Sequence, residues 1–100
     1  MFWIISCVAK PNVDELRDKL RPVHLDYLKS KKSVLVISGR TESDDGSKIT
    51  GSMFLLNVQT LEEAKAFSAA EPFTQAGMFE SITFTRMAKG QWNPESVTTA

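Results

Sequence analysis

The run Arg21-Pro22-Val23-His24-Leu25-Asp26-Tyr27-Leu28 carries the single histidine of the chain. An imidazole titrates near neutral pH, so it can take or give a proton during a reaction. His24 lies four residues after Leu20 and four before Leu28, which places it on the apolar side of a helix. A helix written for packing alone would carry leucine or alanine there. The same position also suits a packed histidine bonded to a backbone carbonyl. Arg21 and Arg40 are cations that could clamp a carboxylate or phenolate substrate, and either also suits a solvated surface. Tyr27 and Phe73 could wall an aromatic-sized pocket or simply fill the core. Glu71 stands where a helix should end. A carboxylate is a poor choice beside the negative end of a helix dipole, so a local reason for it is wanted. The alternative is an exposed helix-end residue.

Other chemistries find less support. Cys7 sits inside a strand with no adjacent base, and buried free cysteines are usually inert. One histidine, one cysteine and scattered carboxylates do not make a zinc pattern, so no metal is expected. Gly39, Gly46 and Gly51 fit neither nucleotide-loop spacing, and no cofactor is expected. Twelve Lys and Arg balance twelve Asp and Glu, which argues against nucleic acid or an anionic membrane as the main partner. A lone cysteine allows no internal disulfide, which fits a reducing cytoplasm. The apolar start, Met1 to Ala9, is short and lacks a basic flank, so it reads as a strand rather than a signal peptide. No apolar run approaches the length of a membrane span.

The elements that must position these residues follow from periodicity. Phe2 to Ala9 reads as a strand, with Phe2, Ile4, Ser6 and Val8 on one side and Trp3, Ile5, Cys7 and Ala9 on the other. After Pro11, Asn12 is the expected N-cap, with Glu15 placed for a capping box. A helix is predicted from Val13 to about Lys32, its inner face built from Val13, Leu16, Leu20, Val23, Tyr27 and Leu28. Pro22 should kink or divide it two residues before His24. Ser33 to Arg40 and Ile49 to Val58 read as a hairpin around Asp44-Asp45-Gly46. Thr60 and Glu63 form a capping box for a helix ending near Ala70, where Glu71-Pro72-Phe73 breaks it. Phe79 to Met87 is the last strand, and the polar stretch 89–100 is a tail attached to a domain at 1–88.

The order β-α-β-β-α-β is the ferredoxin-like α+β arrangement, a four-stranded antiparallel sheet with two helices on one face. The strands are apolar on both faces and the helices cover only one. The bare face therefore needs a partner, most simply a second copy of the chain, so a homodimer is expected.

Several pieces, taken in order, resemble one family. They are Arg21-Pro-Val-His24-Leu-Asp-Tyr-Leu28, Gly39 after the second strand, Gly51 on the third, Leu61-Glu-Glu-Ala64, Glu71-Pro-Phe73 and Ala76-Gly77. The set is similar to the YciI-like proteins over roughly residues 2 to 88. That resemblance implies a dimeric α+β barrel and a pocket with a histidine and an acid for acid–base chemistry. The family includes a dehydrochlorinase of aromatic degradation, and its fold resembles that of muconolactone isomerases. His24 matches the histidine. The acid position departs, because Asp-Pro-Phe or Asp-Pro-Tyr is usual and Glu71-Pro72-Phe73 stands here. The end of the second strand departs too, with Gly39-Arg40 in place of a common Gly-Pro.

On this basis His24 is the expected proton-transfer residue and Glu71 the partner that fixes its tautomer. Arg21, Tyr27, Arg40 and Phe73 are the candidate substrate contacts. Isomerisation, lyase-type elimination or hydrolysis of a small organic acid, aromatic or lactone, would suit such a site. A non-catalytic dimer that binds a small ligand or a protein partner in the same cleft is the alternative.

Overall fold

Strands β1 (Phe2–Ala9), β2 (Leu35–Glu42), β3 (Ile49–Asn57) and β4 (Phe79–Met87) form one antiparallel sheet in the computed structural model, which describes residues 1–100. The strand order is β2-β3-β1-β4. Helices α1 (Asp14–Ser30) and α2 (Leu61–Ala70), with the one-turn helix α3 (Pro72–Gln75), complete the ferredoxin-like α+β fold. Side chains alternate across a strand, so Ile5 and Cys7 of β1 share a face with Phe54 and Leu56 of β3. These residues, with Val58, Ala64 and Phe67, make the core. Ile5 and Leu56 are wholly buried, each contributing roughly 1.5–3 kcal/mol of transfer free energy. Gly51 lies on β3 opposite Val8 of β1, tight against the β1 backbone. A Cβ there would lie 1.8 Å from the carbonyl oxygen of Cys7, a backbone atom that cannot give way.

The ends of α1 differ from expectation. Asn12 adopts a left-handed turn with φ of 62° and does not cap. The N-cap is Val13, with no side-chain bond, while Asp14 and Glu15 favour the helix start electrostatically. The helix ends at Ser30, and Val34 and Leu35 turn back onto the carbonyl of Lys31, so β2 begins two residues later than predicted. Helix α1 runs through Pro22 as a single element rather than two. Pro22 and Asp18 are exposed, so water can take the carbonyl that the proline leaves free. Val23 also faces solvent, whereas Arg17 is buried in its stead.

Beyond β3, Thr60 Oγ1 accepts from the Glu63 amide at 3.1 Å, the forward half of the expected capping box. The predicted break at Glu71-Pro72-Phe73 is followed at once by α3, with Pro72 at its first position, where a missing N–H costs nothing. In the β2–β3 turn, Gly46 has φ of 73°. Asp45 there accepts from Ser47 and Ser43, and the Ser47 amide foremost holds its carboxyl down at about 2. The tail carries one 3-10 turn, Pro94–Thr99, and Trp92 is exposed. No helix is long and apolar enough to cross a membrane. The sheet face away from the helices presents Phe2, Ile4 and Val8 of β1 beside Met53 and Leu55 of β3 and Ile37 of β2. Val8 and Ile37 are 45% and 42% exposed.

Candidate active site

The imidazole of His24 is held on two sides. Its Nδ1–H donates to Oε1 of Glu71, forty-seven residues away. Its ring lies flat on Phe73, with centroids 4.0 Å apart and planes within 8°. Phe54 presents its edge at 6.4 Å. A carboxylate accepts and cannot donate, so this bond selects the Nδ1–H tautomer and leaves the Nε2 lone pair free. The ring is bonded to a carboxylate and not to a backbone carbonyl.

Glu71 owes its position to α3. Its Oε2 accepts from the amides of Phe73 and Thr74 at 3.1 and 3.3 Å, which makes it the N-cap of that helix. Glu71 thus closes one helix backbone and caps the next, which explains an acid after α2. It is 1% exposed, and its two oxygens are spent on one imidazole and two amides. Such bonding is what allows a carboxylate to be buried. The same turn that places Glu71 swings Phe73 over the histidine, so one short helix supplies both contacts.

A cavity of about 370 Å³ opens beside His24. Of the candidate substrate contacts, Phe73, Arg21 and Arg40 border it. Arg21 comes from the turn of α1 before His24, and Arg40 from β2, where its Nε is 3.0 Å from Glu42. Tyr27 is not brought there. Its hydroxyl donates to the carbonyl of Phe67 at 2.8 Å and its ring tilts against the Phe67 ring, so it ties α1 to α2. Burial, and then the charge of Glu71, push its hydroxyl above the usual phenol range.

Two buried polar wall residues escaped the sequence reading. Ser52 is buried on β3, opposite Arg40. Arg17 is buried on α1, four residues before Arg21 and seven before His24, spacing that puts all three on one stripe. That spacing was the available signal. It was masked because arginine is almost never fully buried.

Cys7 lies in the core, where burial, and secondarily the charge of Glu71, raise its thiol to about 12. Thiolate chemistry at neutral pH is therefore closed to it. Nowhere do three or more His, Cys, Asp or Glu side chains converge as a metal-ligand group.

Fold and site together define a small ferredoxin-like domain with a carboxylate-held histidine at a cationic cavity. The family model of the YCII-related domain matches residues 1–88, and the chain belongs to that family. Protein YciI of Escherichia coli O6:H1 is 28% identical over 90 residues, covering 83% of this chain and 92% of that protein. Protein YciI of Shigella flexneri matches to the same extent. Among solved structures, 5-chloro-2-hydroxyhydroquinone dehydrochlorinase (TftG) of Burkholderia phenoliruptrix, in complex with 2,5-dihydroxybenzoquinone, superimposes with a TM-score of 0.80. It is 26% identical, with 90% of this chain and 96% of that one covered.

Proposed function

We propose that this chain is a small-molecule enzyme in which His24 moves a proton at Nε2 and Glu71 orients it. The bond between His24 Nδ1 and Glu71 carries the reading. A neutral imidazole in that tautomer is a base at Nε2, and the ionised glutamate stabilises the imidazolium that forms when the proton arrives. Stacking on Phe73 limits ring rotation and keeps Nε2 aimed. The reaction class that needs only these parts is proton abstraction or return on a small organic acid, as in isomerisation or lyase-type elimination. Hydrolysis through a water activated at Nε2 uses the same atoms. The dehydrochlorinase relative supports elimination on a hydroxylated ring.

The working unit is a homodimer in this proposal. The isolated chain buries only 14 of its 100 residues and leaves an apolar sheet face open, which favours pairing of two such faces.

The test is turnover of 5-chloro-2-hydroxyhydroquinone and a panel of hydroxylated aromatic acids and lactones by wild type and His24→Ala. Loss of every activity in the folded variant is the expected result. Turnover that survives in His24→Ala, with only a lower melting temperature, assigns His24 to the core and ends the proposal.

A further inference from the structure

Arg17 is a charge without enough partners. It is 5% exposed, and its Nη1 is 3.0 Å from Oδ1 of Asp14, a carboxylate that is itself 82% exposed. Its Nη2 is buried and bonds to no protein group. A guanidinium has five N–H donors and cannot shed its proton, so the charge persists and its donors call for acceptors. The side chain borders the His24 cavity, where Arg21 and Arg40 add two more cations. No acidic side chain lines that cavity, although the chain as a whole is neutral. Cationic side chains are therefore gathered at the site, Arg17 paired with Asp14, Arg40 with Glu42 and Arg21 with no acid.

We infer that the cavity takes a ring-sized organic oxyanion, and that Arg17 is the residue whose guanidinium anchors its negative oxygen. This deepens the proposed function, on which it rests for the identity of the site. Arg17 and His24 are seven residues apart on α1, about 10 Å along the helix axis, and both border the cavity. An anion seated on Arg17 thus leaves the other end of a single ring on the side of His24. Phe54 and Phe73 supply apolar wall for the ring itself. Arg21, exposed and in no ion pair, serves entry of the anion rather than its final pairing. Carboxylate and phenolate share the required chemistry.

Calorimetric titration separates the two sources and tests the anchor. The probes are benzoate, 2,4-dinitrophenolate and the neutral benzamide, each against wild type, Arg17→Gln, Arg17→Lys and His24→Gln. The expected result is that wild type binds at least one anion and discriminates against benzamide. Arg17→Gln should lose about tenfold or more in anion affinity, the scale of a charge-assisted bond, with Arg17→Lys between. The Arg17 Nε–Hε resonance of wild type should shift with the bound anion and not with benzamide, a readout independent of whether the variants fold. Equal anion affinity in folded Arg17→Gln, an Arg17 resonance indifferent to the anion, or no anion binding by wild type overturns the inference. If Arg17→Gln loses the anion while His24→Gln keeps full turnover, the anchor stands and the catalytic reading falls. If His24→Gln is inactive while Arg17→Gln binds as wild type does, the anchor falls alone.

Discussion

Glu71 and His24 are joined by a hydrogen bond whose acceptor is at the same time the N-cap of α3. The residue that orients the imidazole is thereby fixed by backbone amides and not by another flexible side chain. Precision in a proton-transfer site comes from such support of the groups behind the reacting one.

Glu71→Gln should lower kcat by about 10²- to 10⁴-fold, because an amide does not enforce the Nδ1–H tautomer or stabilise the imidazolium. KM should move little, since Glu71 does not border the cavity. Glu71→Asp should keep the cap, as aspartate is a good N-cap, and reach the ring less well. Its melting temperature should stay near that of wild type while kcat falls, a split that steady-state kinetics and thermal melts measure together. A change in KM alone would remove Glu71 from the proton-transfer step.

Tyr27→Phe should cost stability and leave substrate affinity alone. It deletes the bond to the Phe67 carbonyl, worth about 0.5–1.5 kcal/mol, without changing the packing of the ring. Urea unfolding gives the first quantity and KM the second. A raised KM with unchanged stability would return Tyr27 to the substrate contacts.

Cys7 makes the protein less stable in alkali. Its folded thiol titrates at about 12 against 9.0 for the free group, so above pH 9 the unfolded chain releases a proton that the folded chain keeps. Stability therefore falls as pH rises from 9 towards 12, by up to about 1.4 kcal/mol per pH unit. Cys7→Ala should flatten this slope relative to wild type in urea titrations at pH 7 and pH 10. Parallel slopes would mean that Cys7 is not the group responsible. In wild type at neutral pH, thiol labelling should proceed only as fast as the fold opens.

Gly51→Ala should be among the most damaging single methyl additions available to this chain. The new carbon would overlap the Cys7 carbonyl at 1.8 Å, so β1 and β3 must part. A loss of several kcal/mol, or failure to fold, is expected, against less than about 1 kcal/mol for Gly39→Ala, where nothing lies within 4 Å. Comparable melts for the two variants would contradict the close approach.

Light scattering at micromolar concentration should give twice the chain mass of 11.1 kDa. Val8→Lys and Ile37→Lys, at positions half-exposed in a single chain, should shift the protein to monomer because pairing would bury the added charge. A folded wild-type monomer at that concentration would eliminate the homodimer.

Periodicity alone delimited β1 and β4 to the residue, and the order of elements determined the ferredoxin-like topology. Both signals depend on neighbours a few positions apart, where alternation and helical spacing act. The lone histidine on an apolar stripe was legible for the same reason. The partners of these residues were not, because they lie far off in sequence: His24 meets Glu71 across 47 residues, and Tyr27 meets Phe67 across 40. Glu71-Pro72 reads locally as a helix stop. Only the return of the chain over α1 shows it to be also a helix start, with the carboxylate shared between a cap and an imidazole. Arg17 was likewise decided by packing. Its spacing placed it on the histidine stripe, but only the sheet behind that stripe, with the cavity before it, determined that the charge would be buried there.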